Sequence, residues 1–360
     1  MNKIDSYIIK SFFQTLFFSL FALCTIFIIV TLMENLDEFL DQDVKLEIIL
    51  EYYAVYLPEI IKILTPIAVL LSTLFSIGRM SNLNEIIAMK TGGLSLYRLM
   101  LPLLLISILL SIGQLYFNGW VVPKSIERKN TIEREYLKKK RKSSTIYNLY
   151  FRDNPTKNIQ MRYYNSLTKS GNKINIEEYS SVDKPRLISK IEAVKVFWKE
   201  ELSKWLLYDG NEKYFANNSL YSKDFDSMYV ELNLKHEHII KLKKELNEMN
   251  LDEVKEYISV LKNGGKDVQR HLTDYYGEYA FPFANLIVIL FGVPFASVKK
   301  KGGMAVQIAA AMIVSFTYLI FTKVSKAIGY STDYDPVIIA WVANIIFLFI
   351  GIIVISKTKT

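Results

Sequence analysis

Ser11-Phe-Phe-Gln-Thr-Leu-Phe-Phe-Ser-Leu-Phe-Ala-Leu-Cys-Thr-Ile-Phe-Ile-Ile-Val-Thr-Leu-Met33 contains no charged side chain. In hydrocarbon every unsatisfied backbone group costs several kcal/mol, so a chain crosses it as a helix, and about 20 apolar residues are needed. This run meets both conditions. Five further runs do the same: Ala54–Ile77, Leu99–Val122, Tyr279–Val298, Ala305–Val324 and Val337–Ile355. The composition agrees: 51% of the chain is hydrophobic and 22% charged, and the two populations are segregated. The first run is long, lacks a small-residue cleavage pattern and leads into the acidic segment Glu34–Asp43, so it reads as a retained span and not a secretory signal. The chain is therefore expected to be a multi-pass α-helical membrane protein with six transmembrane helices. Its single cysteine, Cys24, rules out an intrachain disulfide, so any polar domain must hold itself by its own core.

Lys and Arg near span ends favour the cytoplasmic side. Lys3 and Lys10 precede the first span, Arg79, Lys90 and Arg98 lie between the second and third, Lys299, Lys300 and Lys301 follow the fourth, and Lys357 and Lys359 end the chain. The alternate loops carry Glu34, Asp37, Glu38, Asp41, Asp43 and Glu47, then Asp333 and Asp335. Both termini are thus expected in the cytoplasm, with the long segment from about Pro123 to Glu278 translocated. The net charge of +8 follows from this topology and from anionic lipid, and no nucleic-acid-binding motif is present.

Three domains are expected: residues 1–123 with the first three spans, 124–272 outside the membrane, and 273–360 with the last three. Glu127, Arg128, Glu133 and Arg134 near helical spacings suggest that the third span continues as a solvated helix through the charge-dense stretch Lys124–Lys142. Beyond it, Tyr147–Asp153, Asn158–Tyr164, Lys173–Tyr179, Leu187–Phe197, Lys204–Tyr208, Lys213–Ala216 and Ser227–Leu234 are short aromatic and β-branched runs separated by Asp-Asn-Pro, Ser-Gly-Asn and Asp-Gly-Asn turns. About seven strands predict a sandwich or jelly roll. Asp252–Leu261 returns to helical spacing, with Gly264–Gly265 as its stop. The strands' aromatics read either as sandwich core or as the lining of a sheet that opens to hold an acyl chain.

Arg79-Met-Ser-Asn-Leu-Asn-Glu-Ile-Ile-Ala-Met-Lys-Thr-Gly-Gly93 predicts a short helix. Asn82 and Glu85 make a capping box, Leu83, Ile86 and Ile87 share a face, and Gly92–Gly93 ends it. It is either an interfacial helix on lipid headgroups or a dock for a cytoplasmic partner that reads Glu85. Glu59, Lys62 and Lys323 are ionisable residues near the outer span ends. Glu59 and Lys62 stand three apart and either pair and snorkel, or Lys62 meets an anionic headgroup. Pro58, Pro66, Pro282 and Pro294 are expected to kink spans two and four. Catalysis has little to work with: there is no G-x-x-x-x-G-K-[ST] loop, and one cysteine and three histidines in all. His236-Glu-His238 puts two imidazoles on one strand face, a solvated edge more than a metal site, since no third ligand follows. No catalytic residue, metal ligand or cofactor is assigned.

Leu57-Pro-Glu-Ile-Ile, Pro66-Ile-Ala-Val-Leu-Leu, Gly78 to Gly93, Lys204-Trp-Leu-Leu-Tyr-Asp-Gly210, Met249-Asn-Leu-Asp-Glu-Val-Lys-Glu-Tyr-Ile, Pro282 with Gly292-Val-Pro-Phe-Ala, and Asp335-Pro with Ala340-Trp-Val-Ala-Asn344 occur in an order that resembles the LptF/LptG (YjgP/YjgQ) permeases of the lipopolysaccharide exporter. The resemblance covers essentially the whole chain. It implies a bacterial inner-membrane protein with a periplasmic β-jellyroll between helices 3 and 4, paired with a paralogous permease over a cytoplasmic ATPase dimer. It also implies a single-span LptC-like periplasmic protein that receives the lipopolysaccharide. The short helix, about residues 81–91, then looks like the coupling helix, with Asn82, Glu85, Met89 and Lys90 facing the ATPase. Lys45, Glu59 and Lys62 occupy the neighbourhood of the family's lipid-binding lysines, with one departure: Glu34 and Glu59 stand where basic residues are expected. Either the contact has moved by a turn, or this is the LptF-like partner, or its lipid carries another headgroup. The rival readings are a mechanotransmission permease, which moves no lipid, and a secondary transporter, which wants a midplane ionisable cluster that is not visible here.

Overall fold

The computed structural model describes residues 3–137, 145–182, 185–216, 219–241, 244–263, 265–297 and 303–357. Along the chain come helices α1 (Lys3–Asp41), α2 (Leu46–Asn82), α3 (Glu85–Thr91), α4 (Leu96–Tyr116), a π-helical segment (Phe117–Val121) and α5 (Val122–Tyr136). Strands β1 (Thr145–Asn154), β2 (Lys157–Asn165), β3 (Ser170–Tyr179), β4 (Leu187–Lys199), β5 (Lys204–Ala216) and β6 (Ser219–Val230) follow. Then come α6 (His236–Lys241), α7 (Leu251–Asn263), α8 (Gln269–Ala280), α9 (Ala284–Ser297), α10 (Gly303–Tyr330) and α11 (Pro336–Lys357). The chain falls into two compact units, 1–138 with 269–360, and 139–268.

Among the described residues of the first unit, six helical stretches are long and apolar enough to span a membrane: Lys3–Asp41, Leu46–Asn82, Leu96–Tyr136, Gln269–Ser297, Met312–Tyr330 and Pro336–Lys357. Each contains or overlaps an apolar run read from the sequence. The 39 residues of α1 rise about 58 Å at 1.5 Å each, well beyond a hydrocarbon core about 30 Å thick. The centre of this unit is α9, buried on nearly every residue from Ala284 to Ser297, as expected of a helix that is hydrophobic all round. Leu70, Leu74 and Ile77 of α2 and Leu99 and Leu103 of α4 share its apolar cluster.

The third span does continue beyond its apolar run, through the π segment and α5, to Tyr136. Pro123 sits in the first turn of α5, where a missing N–H costs least. α5 is tied to α2 along its length. Tyr52 donates to Glu133 at 2.9 Å, Arg128 donates to Glu51 at 2.8 and 2.5 Å, and Lys129 meets Glu59 at 2.6 Å while lying 4.3 Å from the centre of the Tyr56 ring. Pro58 and Pro66 lie inside α2 and Pro294 inside α9, whereas Pro282 occupies a 3-10 turn (Phe281–Phe283) that joins α8 to α9.

The second unit carries one six-stranded antiparallel sheet in the order β1-β2-β3-β4-β5-β6, each strand paired with its chain neighbour. Of the expected seven or so strands, the described residues form six. Lys204–Tyr208 and Lys213–Ala216 are two halves of β5, and the intervening Asp-Gly-Asn is no turn: Asp209 takes φ +51 while Tyr208 still pairs with Ser227 and Gly210 with Phe225. The final run shifts upstream, so that Ser227–Val230 closes β6 and Leu232 and Leu234 pack beyond it. The strands make a single meander; the second sheet of a sandwich is not found among the described residues.

Trp205 and Tyr164, both fully buried, centre the core of this unit with Ile159, Met161, Val196 and Leu207. The segment after β6 is stitched to the sheet. Trp205 donates its indole N–H to the Leu234 carbonyl at 2.7 Å, the Asp153 carboxylate accepts the Leu234 N–H at 3.0 Å, and the Tyr164 hydroxyl and His236 Nδ1 are 2.6 Å apart. Burial pushes the Asp153 carboxyl above its usual range, and burial, with the Lys169 charge, holds the His236 imidazole below its own. The His236 and His238 pair is therefore not on a strand. His238 Nδ1 takes the Lys235 N–H at 3.3 Å, closing a first helical turn that buries Ile239, so the two imidazoles serve separate bonds, one across the sheet unit and one within the turn. Asp252–Leu261 is helical, within α7. Lys138–Lys142, Gly264, the lysines 299–301 and Lys359 lie outside the described residues.

Candidate functional site

The short helix α3 is cut from α2 at Asn84, which takes φ +61, a left-handed conformation asparagine tolerates. The Leu83 N–H still reaches the Arg79 carbonyl at 3.0 Å and the Asn84 N–H reaches that of Ser81 at 3.1 Å. Asn82 is thus the last residue of α2 and not the N-cap of α3, and no side-chain cap bond forms there, so the expected capping box is absent. The shared apolar face is also revised. Ile86 is buried in the helical core and Met89 packs partly against it, while Leu83 and Ile87 are exposed. The C-terminal stop is as read. Leu94 N–H bonds to the Met89 carbonyl and Gly93 N–H to that of Lys90, both at 3.0 Å, with Gly93 at φ +87. This is the Schellman pattern, which needs a left-handed residue at that position.

Glu85 is the first residue of α3, and its carboxylate accepts a hydrogen bond from the Tyr7 hydroxyl at 3.0 Å. Two residues before Tyr7 on α1, Asp5 receives Arg98 at 2.8 and 2.9 Å, just inside α4. The foot of α1 is thereby bonded to both α3 and α4. Lys90 stands in the last turn of α3, half-buried.

Glu59 and Lys62 do not pair with each other. Lys62 meets Glu278 of α8 at 2.7 Å, and Glu59 goes to Lys129 of α5. The i, i+3 spacing that suggested a pair was outweighed by partners on neighbouring helices. Lys45 lies elsewhere, exposed at the N-cap of α2 with its carbonyl taking the Ile48 N–H at 3.0 Å. Lys62 opens into a cleft of about 440 Å³ that also takes in Glu278, Lys323, Lys326 and Asn344, over an apolar floor that includes Ile67, Phe281 and Leu319. Beside it a polar thread runs through the helices. Gln114 donates to the Lys62 carbonyl at 3.2 Å and accepts from Asn285 at 2.7 Å, and Asn344 accepts from Tyr318 at 2.6 Å while donating to the Ala280 carbonyl at 2.8 Å.

Of the residues singled out by sequence, the structure brings Lys62 and Lys323 into one cleft and leaves Lys45 and Glu59 outside its lining. Arg98 entered the sequence reading only as a charge marking the cytoplasmic side; Tyr7 and Asp5, and Asp274, Glu278 and Lys326, were not singled out. The only available signal for the last three was three ionisable residues flanking apolar spans four and five, which invites the question of a partner.

Comparison with curated proteins returned no match. The family model described as "Lipopolysaccharide export system permease LptF/LptG" matches residues 6–357, nearly the whole chain, and this membrane protein with its β domain belongs to that family.

Proposed function

We propose that this chain is one permease half of an ATP-driven exporter that extracts lipopolysaccharide from the inner membrane and passes it to a periplasmic bridge. The observation that carries the reading is the family match over residues 6–357. In it the chain pairs with a paralogous LptF/LptG permease, sits on a cytoplasmic ATPase dimer and hands lipid to an LptC-like partner. Both termini are cytoplasmic, the sheet unit is periplasmic, and the chain itself is a transport subunit that hydrolyses nothing.

The physical need is plain. Exposing an acyl chain costs about 0.8 kcal/mol per methylene, so a dozen methylenes cost roughly 10 kcal/mol. A lipid with several such chains needs an apolar route, and force to drive it. α3 suits the force-receiving role: its outer side offers Glu85, its inner side is anchored by Ile86, and Tyr7 ties it to the foot of α1. A push on α3 would reach α1 and α2 as rigid bodies. Asn82, Glu85, Met89 and Lys90 form the proposed ATPase contact, and Lys45, Glu59 and Lys62 the proposed lipid-contacting set, Glu59 acting through Lys129 and not by direct charge attraction.

The test is affinity purification of the tagged chain in mild detergent, comparing wild type with Glu85→Ala for co-purifying ATPase and lipopolysaccharide. Recovery of an ATPase that drops with Glu85→Ala supports the reading. A chain that keeps its fold and recovers no ATPase refutes it and favours a transporter that works alone.

A further inference from the structure

The cleft at Lys62 is lined by three ammonium groups and one carboxylate, those of Lys62, Lys323, Lys326 and Glu278, and a second carboxylate, Asp274, reaches it through Lys326. Asp274 and Glu278 stand four residues apart on α8. Glu278 holds Lys62 of α2 at 2.7 Å, and Asp274 holds Lys326 of α10 at 3.7 Å. Between them is Gly277, where a Cβ would lie 2.4 Å from Lys326 Cε and 2.5 Å from its Nζ. Only glycine lets the Lys326 ammonium lie against the α8 backbone. Asp274 is shared, because Tyr330 also donates to it at 2.6 Å. Lys323 opens on the same cleft and has no carboxylate in ion-pair distance among the described residues.

The five groups sum to one excess positive charge above an apolar floor. Lys62 and Lys326 keep about a fifth of their side-chain surface exposed, 22% and 21%, so each can be reached from the cleft without unfolding. The volume, about 440 Å³, suits a headgroup with its first methylenes and not a whole multi-chain lipid. A phosphate monoester, unlike a phosphodiester, offers ammonium groups more terminal oxygens and more charge than a carboxylate, and charge-assisted bonds of this kind are the strong ones.

Resting on the reading of Lys62 as a lipid-contacting residue, we propose that the cleft binds the phosphate of an anionic lipid by exchange: Lys323 receives it, and the phosphate then displaces Glu278 from Lys62 and Asp274 from Lys326. The two carboxylates act as a latch that keeps the lysines ordered when no lipid is bound and rejects headgroups too weakly charged to displace them. Glu278 and Asp274 thereby set headgroup selectivity without needing to touch the lipid.

The experiment uses the full chain, purified without any ATPase in a neutral maltoside detergent and titrated with dioctanoyl phosphatidic acid, dioctanoyl phosphatidylcholine or inorganic phosphate. Binding is read by native mass spectrometry, and each variant's melting temperature is compared with wild type. Phosphatidic acid is expected to bind, the other two probes not at the same concentration. Lys323→Gln and Lys326→Gln should each weaken binding about fivefold, and Glu278→Gln, which frees Lys62 while keeping its shape, should tighten it about fivefold. Gly277→Ala should weaken binding by displacing the Lys326 ammonium. Inorganic phosphate binding as well as the lipid overturns the amphiphile assignment, and lysine variants that bind normally overturn the cleft. Weakening by the lysine variants with no gain in Glu278→Gln overturns the latch. Because no ATPase is present, these outcomes are independent of the exporter reading, which fails separately if the chain binds phosphatidic acid as described yet recovers no ATPase.

Discussion

Trp205→Phe should destabilise the sheet unit selectively, by an amount the structure sets. Trp205 is fully buried, and its ring meets Trp198 at 5.0 Å and Tyr164 at 5.7 Å between centroids. Its indole N–H is the donor to the Leu234 carbonyl, at 2.7 Å. Phenylalanine keeps an aromatic ring there but removes that donor, and a buried acceptor left unsatisfied costs about 1–3 kcal/mol. The smaller ring leaves a void worth about 1 kcal/mol more. The total, about 2–4 kcal/mol, is a large part of the 5–15 kcal/mol typical of a domain. With a urea slope of about 1–3 kcal/mol per M, the midpoint should fall by roughly 1–2 M. Pulse proteolysis in urea, scored by cleavage within residues 139–268, reads this unit apart from the helices. Trp205→Ala should remove still more, about 3–5 kcal/mol for the side chain alone. A midpoint for Trp205→Phe within about 0.3 M of wild type would refute the claim that the Leu234 bond holds the post-β6 segment to the sheet.

Gly93→Ala should cost about 1–2 kcal/mol at the end of α3, the penalty for an L-residue in left-handed backbone, and should lower recovery of the co-purifying ATPase. A Cβ there would meet nothing within 4 Å, so unchanged recovery would mean the Schellman turn does not set the helix's presentation. The sheet unit should lose stability as pH falls below about 6.5, because the His236 imidazole is held below its ordinary range and the unfolded chain takes up the proton first. Above that pH the contribution is fully present. Pulse proteolysis between pH 7.5 and 5.5 measures it, and His236→Asn should flatten that slope. In a double-mutant cycle scored by thermal stability in detergent, Glu59→Gln and Lys129→Gln should couple by about 0.5–3 kcal/mol, and Glu59→Gln with Lys62→Gln by close to nothing. The reverse result would restore the within-helix pair.

The spans were legible because an apolar run long enough for lipid has few other uses, and the charge alternation around them is a property of the chain alone. The contacts that define the candidate sites were not legible. Lys62 finds Glu278 216 residues away and Lys129 finds Glu59 across 70, whereas sequence spacing argues only within a few helical turns. At α3 the helix and its glycine stop were readable, but periodicity could not choose between Asn82 and Asn84 as the break, since both suit a helix end and only the backbone shows which one turns left-handed. In the sheet, Asp-Gly-Asn carries the composition of a turn. It stays in β5 because Gly210 lies under the Phe225 ring and the register on both sides is kept. His236 looked like a strand residue because alternation continues past β6. What ended it was long-range stitching to Trp205 and Asp153.

The seam between α2 and α5 has a consequence for how these proteins can change length. Glu51, Tyr52 and Glu59 meet Arg128, Glu133 and Lys129 through three unlike bonds, so each side chain has one proper mate. Inserting a single residue within either helix turns everything beyond it by about 100° and advances it 1.5 Å, which would break every bond past the insertion at once. Seven inserted residues return the faces to within about 20° of their old phase, but carry each mate some 10 Å along the axis, out of reach unless the other helix gains the same seven. Growth or loss in this region is therefore expected in paired, phase-preserving steps on both helices, like two toothed racks that can be lengthened only together.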